Sequence, residues 1–291
     1  MLDRYQLRYF LAIVDNGNFS RAAAQCNVSQ PTLSVGIAKL ERAIGAKLFL
    51  RSSQRVQLTP AGTKFLVHAR KIENEFNLVL RQVADADDSA VIRIGVLRSI
   101  PGTTMARVIH ELHREDPAAR IELVEGSERE LAGHIARGRV DCALSLVGRG
   151  GERFLEEGLF SEGYSLAMAL THPLACQPVV RAEALSKDIM IVRRHCEALS
   201  ETSRHFTDRA VRPHFAYKST NDERVLQMVE AGLGITVMPE TYHAPGVARP
   251  RLEGFTLRRT IGLIYGPAAE ALQTSAPTII TSIRSALTAP D

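Results

Sequence analysis

Residues 18–51, NFSRAAAQCNVSQPTLSVGIAKLERAIGAKLFLR, read as two short helices joined by a tight turn. Ser20 is placed as the N-cap of the first helix, ahead of the strong helix formers Arg21, Ala22, Ala23, Ala24 and Gln25. Their small side chains let a second helix approach closely. Asn27 tolerates the left-handed backbone that a sharp turn needs, and Val28 fills the corner. Ser29 caps the second helix, with Pro31 in its first turn, where no N–H is required. Leu33, Ile37, Leu40 and Ile44 then recur every three or four residues, so one stripe faces a core. The opposite face carries Gln30, Thr32, Ser34 and Lys39, side chains that reach base edges and phosphates from a helix in the major groove. An ordinary helical hairpin with a merely solvated face is the competing reading. Gly45 at the C-cap position, followed by two short strands in AKLFLR and SSQRVQLT around a polar, basic tip, favours a winged helix-turn-helix for double-stranded DNA. Arg51 and Arg55 flank that tip, placed to hold phosphate or a narrow minor groove.

Phe10, the run FSRAAAQCNVSQPTLS at 19–34, Leu40 with Glu41, Gly45, Leu48, Phe49, Arg51 and LTPAG at 58–62 keep one order and spacing. In this the N-terminal part resembles the winged helix-turn-helix of LysR-type transcriptional regulators. The resemblance implies a DNA-contacting set of Ser20, Arg21, Gln30, Pro31, Thr32, Ser34, Lys39, Arg51 and Arg55, facing an interrupted inverted repeat. One departure stands inside the second helix. The family often has Arg and Gln after the serine at position 34, whereas here Val35 and Gly36 follow. Val35 can touch a thymine methyl but cannot grip a guanine.

With 291 residues the chain has room for two domains. No apolar run approaches a membrane span, and MLDRYQLRYFLAIV lacks a leader-like pattern, so a cytoplasmic protein is expected. Residues 1–60 hold eight Lys or Arg against three acids, a balance of +5, while the remainder holds 28 against 29, a balance of −1. The positive excess therefore sits on the DNA-binding end. The cysteines at 26, 142, 176 and 196 have neither C-x-x-C spacing nor the pairing of a disulfide framework. Cys196, in RRHCE beside Arg193, Arg194 and His195, has cations that can stabilise a thiolate, and redox sensing there is the alternative reading. No resolving cysteine lies nearby in sequence. The nine histidines are scattered, and no G-x-S-x-G elbow, phosphate-binding glycine loop or H-E-x-x-H occurs, so no enzyme, metal or cofactor is expected.

Thr59 and Pro60 start a helix that runs to about Ala86 without a breaker, about 40 Å in length. Phe65, Ile72 and Val79 repeat every seven residues, as do Ala69, Phe76 and Val83. A dimer seam of Phe65, Ile72, Phe76 and Val83 is the expectation, and the family places its linker helix there. DADDS at 85–89 reads as a hinge. From Val91 the segments VIRIGVL, IELVEG and DCALSLV alternate with helical patterns, and SLAMAL, IMIV and GITVMP add strands, the pattern of an α/β domain.

IRIGV, RVDCAL, HPLA at 172–175 and VEAGLGITVMP resemble the regulatory half of the same family, which is similar to periplasmic binding proteins. The resemblance implies a winged helix-turn-helix at 1–60, a linker helix at 61–88 and an effector-binding domain at 89–291. Subdomain I takes about 91–161 and 266–291, and subdomain II about 162–265. Effectors in such open sheets sit outside the carboxyl ends of strands, near Ser99, Thr103, Thr104, Ser127, Ser145, Arg193, Arg194, Ser219 and Thr220. The hydroxyls with Arg193 and Arg194 suggest a small organic anion. The resemblance further implies a homodimer, assembly to a homotetramer, and contact with RNA polymerase. An architectural DNA protein without effector is the third reading, disfavoured by a near-neutral second domain of about two hundred residues.

Overall fold

The computed structural model describes residues 2–51, 56–84, 91–149, 154–266 and 269–288. The chain divides into two compact units, one containing Met1–Ala90 and the other Val91–Ile135 and Val140–Asp291.

The N-terminal unit comprises α1 (Arg4–Asn16), α2 (Phe19–Gln25), α3 (Gln30–Ile44), the antiparallel ribbon β1 (Phe49–Arg51) and β2 (Val56–Leu58), and the long α4 (Pro60–Ala84). Its core is Leu7, Phe10, Ile13, Leu33, Ile37, Leu40, Leu48 and Phe49, all buried. Phe10 is the centre, its ring 5.1 Å from Phe49 and 4.9 Å edge-on from Phe65. The cap of α2 differs from the sequence expectation. Asn18, not Ser20, accepts from the Ser20 and Arg21 amides, because an extended residue one place before the helix is where a side-chain oxygen reaches those groups. Ser29 caps α3 through the Thr32 amide, Gly45 closes it at φ 75°, and Asn27 turns at φ 54°. Glu41, buried at the end of α3, accepts from the Leu48 and Lys47 groups and so ties the entry of the ribbon to the helix. Thr59 Oγ1 accepts from the Gly62 amide and starts α4 as expected.

The larger unit opens with β3 (Ile92–Leu97), α5 (Gly102–Glu115), β4 (Ile121–Gly126), α6 (Glu128–Ala136), β5 (Cys142–Leu146) and β6 (Leu155–Glu162). It continues with β7 (Tyr164–Ala169), β8 (Val179–Val180), β9 (Ile189–Arg193), α7 (Leu199–Thr207), β10 (His214–Ser219), α8 (Asp222–Glu230) and β11 (Thr236–Pro239). Last come β12 (Val247–Ala248), β13 (Arg251–Leu252), β14 (Arg259–Tyr265), α9 (Ala269–Ser275) and α10 (Pro277–Thr288). One subdomain is a five-stranded sheet in the order β4-β3-β5-β14-β6, parallel through β4, β3 and β5 and antiparallel at β14 and β6. Helices α5 and α10 contribute Val108, Leu112, Ile280 and Ile283 to its core. The other subdomain holds β11-β7-β12 and the parallel pairs β10-β9 and β13-β8. Strand β14 lies in the first sheet, whereas the sequence reading gives 162–265 to the second subdomain. The sequence reading names no strand at 259–265; Ile261, Leu263, Ile264 and Tyr265 are buried there, and only pairing with β5, more than a hundred residues away, assigns the segment to its sheet.

Candidate functional site

On α3, Gln30, Pro31, Thr32 and Lys39 are exposed and Ser34 is half-buried, so the expected DNA-facing set shares the solvent side of one helix. Gln30 Nε2 donates to Ser34 Oγ at 3.1 Å, and the Ser29 and Thr32 hydroxyls pair at 2.7 Å. Val35 is 55% exposed on this side, an apolar group in a polar face. Gly36 faces inward instead, beneath Tyr9 of α1. Ser20 and Arg21 are exposed on α2. Arg51 ends β1, and Arg55 lies outside the described residues.

On α4 the seam splits. Phe65 packs on Phe10 in its own unit and Ala69 is buried, which corrects Phe65 as a dimer contact: the first two turns of α4 close the domain core. Ile72 and Phe76 are 43% and 45% exposed, with Val79 and Leu80 also exposed beyond them. The Val83 side chain lies outside the described residues.

In the larger unit the expected effector residues part company. Arg193 is buried, and its guanidinium forms a bidentate pair with Asp222, the Nε–Oδ1 arm at 2.8 Å. Its Nη1 also donates to Cys196 Sγ at 3.2 Å and to the Val237 carbonyl. Ser99 is buried between Arg259, whose Nη1 donates to its hydroxyl at 2.8 Å, and Glu197, to which that hydroxyl donates at 3.1 Å. Ser127 forms a capping box with Glu130 at the start of α6. Thr104 is buried, while Thr103 and Thr220 are exposed. The amide of Gly102, at the N-terminus of α5, donates to Glu223 of α8 at 2.9 Å, so a carboxylate of the chain itself occupies that anion-attracting position. Thr220 lines a cleft of about 530 Å³ together with Glu125, Asp222 and Glu223. Arg98 is the one cation among its described lining residues and already pairs with Glu130 at 3.0 Å. Such a cleft repels anions. The organic-anion site inferred from these residues is therefore not assembled: Arg193 and the helix terminus are satisfied internally, and Arg194 is exposed after β9 and is not among the residues lining this cleft.

What the chain does assemble is a buried polar cluster around Cys196. The thiol accepts from Arg193 Nη1 and, at 3.3 Å, from the Ala198 amide. Burial pushes the thiol up, and the Arg193 guanidinium opposes that without cancelling it. The neighbouring Glu197 bridges Ser99, Tyr164 (2.7 Å) and Arg259. Burial alone would raise the Glu197 carboxyl; Arg259 and Arg193 outweigh it and hold it below the ordinary value. Arg259 also pairs with buried Glu162 at 2.7 Å. Glu162, Asp222, Glu223 and Arg259 are absent from the sequence-derived set. Only the acid pair after the Asn221 cap carried a signal, and it reads equally as an ordinary first turn. Among the described residues no group of His, Cys, Asp and Glu could hold a metal ion.

Family models agree with both units. That for the LysR substrate binding domain matches residues 85–285, and that for the bacterial regulatory helix-turn-helix protein of the lysR family matches 5–63. The chain belongs to the LysR family of transcriptional regulators. This LysR-family chain is 31% identical over 283 residues to the DNA-binding transcriptional dual regulator OxyR of Escherichia coli, covering 90% of this chain and 89% of that protein. It is 30% identical over 276 residues to the hydrogen peroxide-inducible genes activator of Dickeya chrysanthemi, with 90% and 89% covered. A full-length OxyR variant from Pseudomonas aeruginosa superposes with a TM-score of 0.59 at 25% identity, covering 98% of this chain and 95% of that one. The LysR-type relatives are transcription regulators rather than enzymes. Among the described residues no helix is long and apolar enough to cross a membrane.

Proposed function

We propose that this LysR-type regulator binds an interrupted inverted repeat through α3 and the β1–β2 wing, pairs through the outer half of α4, and answers peroxide through Cys196. The names of its relatives support a peroxide signal. The observation that carries the reading is the placement of Cys196 Sγ between the Arg193 guanidinium and the Ala198 amide, two donors that hold a thiolate once it forms, against the burial that keeps the resting thiol protonated. The thiolate attacks one peroxide oxygen; an S–O bond forms, the O–O bond breaks, and the departing hydroxide takes a proton to leave as water. Sulfur gives up two electrons and peroxide accepts them, leaving a sulfenic acid.

The new oxygen has to sit where Arg193 and Ala198 now donate. Arg193 leads through Asp222 to α8, whose Glu223 holds the start of α5 in the other subdomain. Glu197 leads directly to Ser99 and Arg259. Oxidation thus acts at the junction of two links between the subdomains, and a change in their geometry is what an assembled dimer or tetramer conveys to DNA bending and RNA polymerase in the cytoplasm. The test is sulfenic-acid trapping and footprinting of the intact protein with and without peroxide. The parent traps at Cys196 and changes its footprint, and Cys196→Ser does neither. A peroxide-dependent footprint that survives Cys196→Ser would sink the reading.

A further inference from the structure

The outward side of α3 is apolar at its centre. Leu33, Ile37 and Leu40 are buried, and a helix of 3.6 residues per turn then sets Pro31, Val35, Ala38 and Arg42, spaced by four, three and four, along the side directly opposite. Pro31, Val35 and Arg42 are exposed and Ala38 is half-buried. Gln30 with Ser34 flanks this line on one side, and Thr32 with Lys39 on the other. The Gln30 amide is bonded to Ser34 and the Thr32 hydroxyl to Ser29, while Val35 stands between the two flanks with no hydrogen-bonding group of its own. Glu41, the one acid of α3, is buried, so Lys39 and Arg42 leave the exposed side of the helix basic. The surround suits a polyanion, and the centre suits an apolar group on it.

In the major groove the apolar group is the C5 methyl of a pyrimidine. Guanine O6 and N7, the adenine amino group and N7, and the cytosine amino group would each lose water against a valine and gain no partner. We propose that Val35 is the residue with which this chain reads a 5-methylpyrimidine. Each operator half-site sets thymine against it, and 5-methylcytosine, but not cytosine, serves in the same place. Cytosine C5 methylation is then a signal to binding that does not pass through Cys196. The inference rests on α3 as the DNA-contacting helix and not on the peroxide reading.

The full chain first enriches a duplex from a random library. Each thymine of that duplex is then replaced in turn by uracil, which removes the methyl and nothing else. At the position that responds, a cytosine–guanine pair is also placed, with the cytosine either plain or C5-methylated, and all dissociation constants are measured at one salt concentration. One thymine per half-site is expected to respond, its replacement weakening the parent about fourfold, the effect of one buried methyl, and methylation of the cytosine duplex should strengthen binding by about the same factor. Val35→Ser should abolish both differences with an unchanged melting curve, because the side chain stands in solvent, and Val35→Ile should keep them. A parent indifferent to uracil at every position, or a Val35→Ser chain that still tells thymine from uracil, would overturn the assignment. Gln30→Ala separates the two ways of failing. Binding weakened by Gln30→Ala in a chain without thymine dependence keeps α3 on the DNA and removes Val35 from the readout, whereas binding unmoved by Gln30→Ala and by Val35→Ser removes α3 from the DNA and the inference with it.

Discussion

Gly36 shows how one residue sets the geometry of the DNA-facing helix. A methyl group built there would stand 2.6 Å from the Tyr9 ring, so α1 can lie against α3 only because position 36 has no side chain. A glycine that looks like a helix-weakening departure in the sequence is thus a packing requirement. Gly36→Ala should lower stability by about 1–3 kcal/mol, and Tyr9→Ala in the same chain should recover part of that loss in a denaturant melt, since the ring is the obstacle. Additive losses would place the strain elsewhere. His205 carries a second residue-scale expectation. It is buried beside Phe255 at 5.3 Å with Nε2 unpartnered. Burial holds its proton affinity below the ordinary histidine value, Arg209 adding to this and Glu183 and Asp208 opposing. The folded state therefore prefers neutral histidine. Its contribution is complete above the unfolded value of about 6.5 and is lost as pH falls through the lower folded value. The melting temperature of His205→Phe should fall less than that of the parent between about pH 7 and pH 5, and parallel curves would remove His205 from the acid sensitivity.

Helix α4 does two jobs along its length. Its first turns are inside the domain, and from Ile72 outward the described apolar side chains Ile72, Phe76, Val79 and Leu80 stand in solvent. Arg4 covers part of this stripe, its guanidinium 4.8 Å from the Phe76 ring and its Nη2 3.0 Å from Glu73. Ile72→Asp should leave the monomer's melting intact and convert a dimer to monomer in sedimentation, because the position touches no core. Unchanged mass would mean that the stripe is not the interface. The heptad spacing marks the helix but not this division, since Phe65 and Ile72 differ only in what stands opposite them. Local signals served well wherever a single segment decides the outcome: Ser29, Gly45, Asn27, Thr59 and the alternating β3, β4 and β5 were legible. Arg193 was legible as a cation near the cleft, but its commitment to Asp222, twenty-nine residues on, was not. The cluster around Cys196 draws Ser99, Glu162 and Arg259 from distant segments, and no spacing rule joins them.

Across the regulatory unit, two kinds of link hold the subdomains. The Arg259–Glu162–Glu197 cluster is buried, and breaking one partner of such a group costs about 3–5 kcal/mol. The Glu223–Gly102 bond is exposed and cheaper to open. Glu223→Gln should raise amide hydrogen exchange in the first turn of α5 several-fold while the five-stranded sheet keeps its protection. Equal protection of that turn in mutant and parent would show that Glu223 does not restrain α5. Strand β14 has a different consequence, one that concerns the ribosome. Among the described residues it is the only strand paired with β6 and the only strand beside β5 on that side, yet β5 ends at Leu146 and β14 ends at Tyr265. At about 5–20 residues per second, the nascent chain waits roughly 6–24 s between them. During that interval the second subdomain is emerging while the first presents an open edge and an orphan strand, the period in which this polypeptide most needs a chaperone's cover.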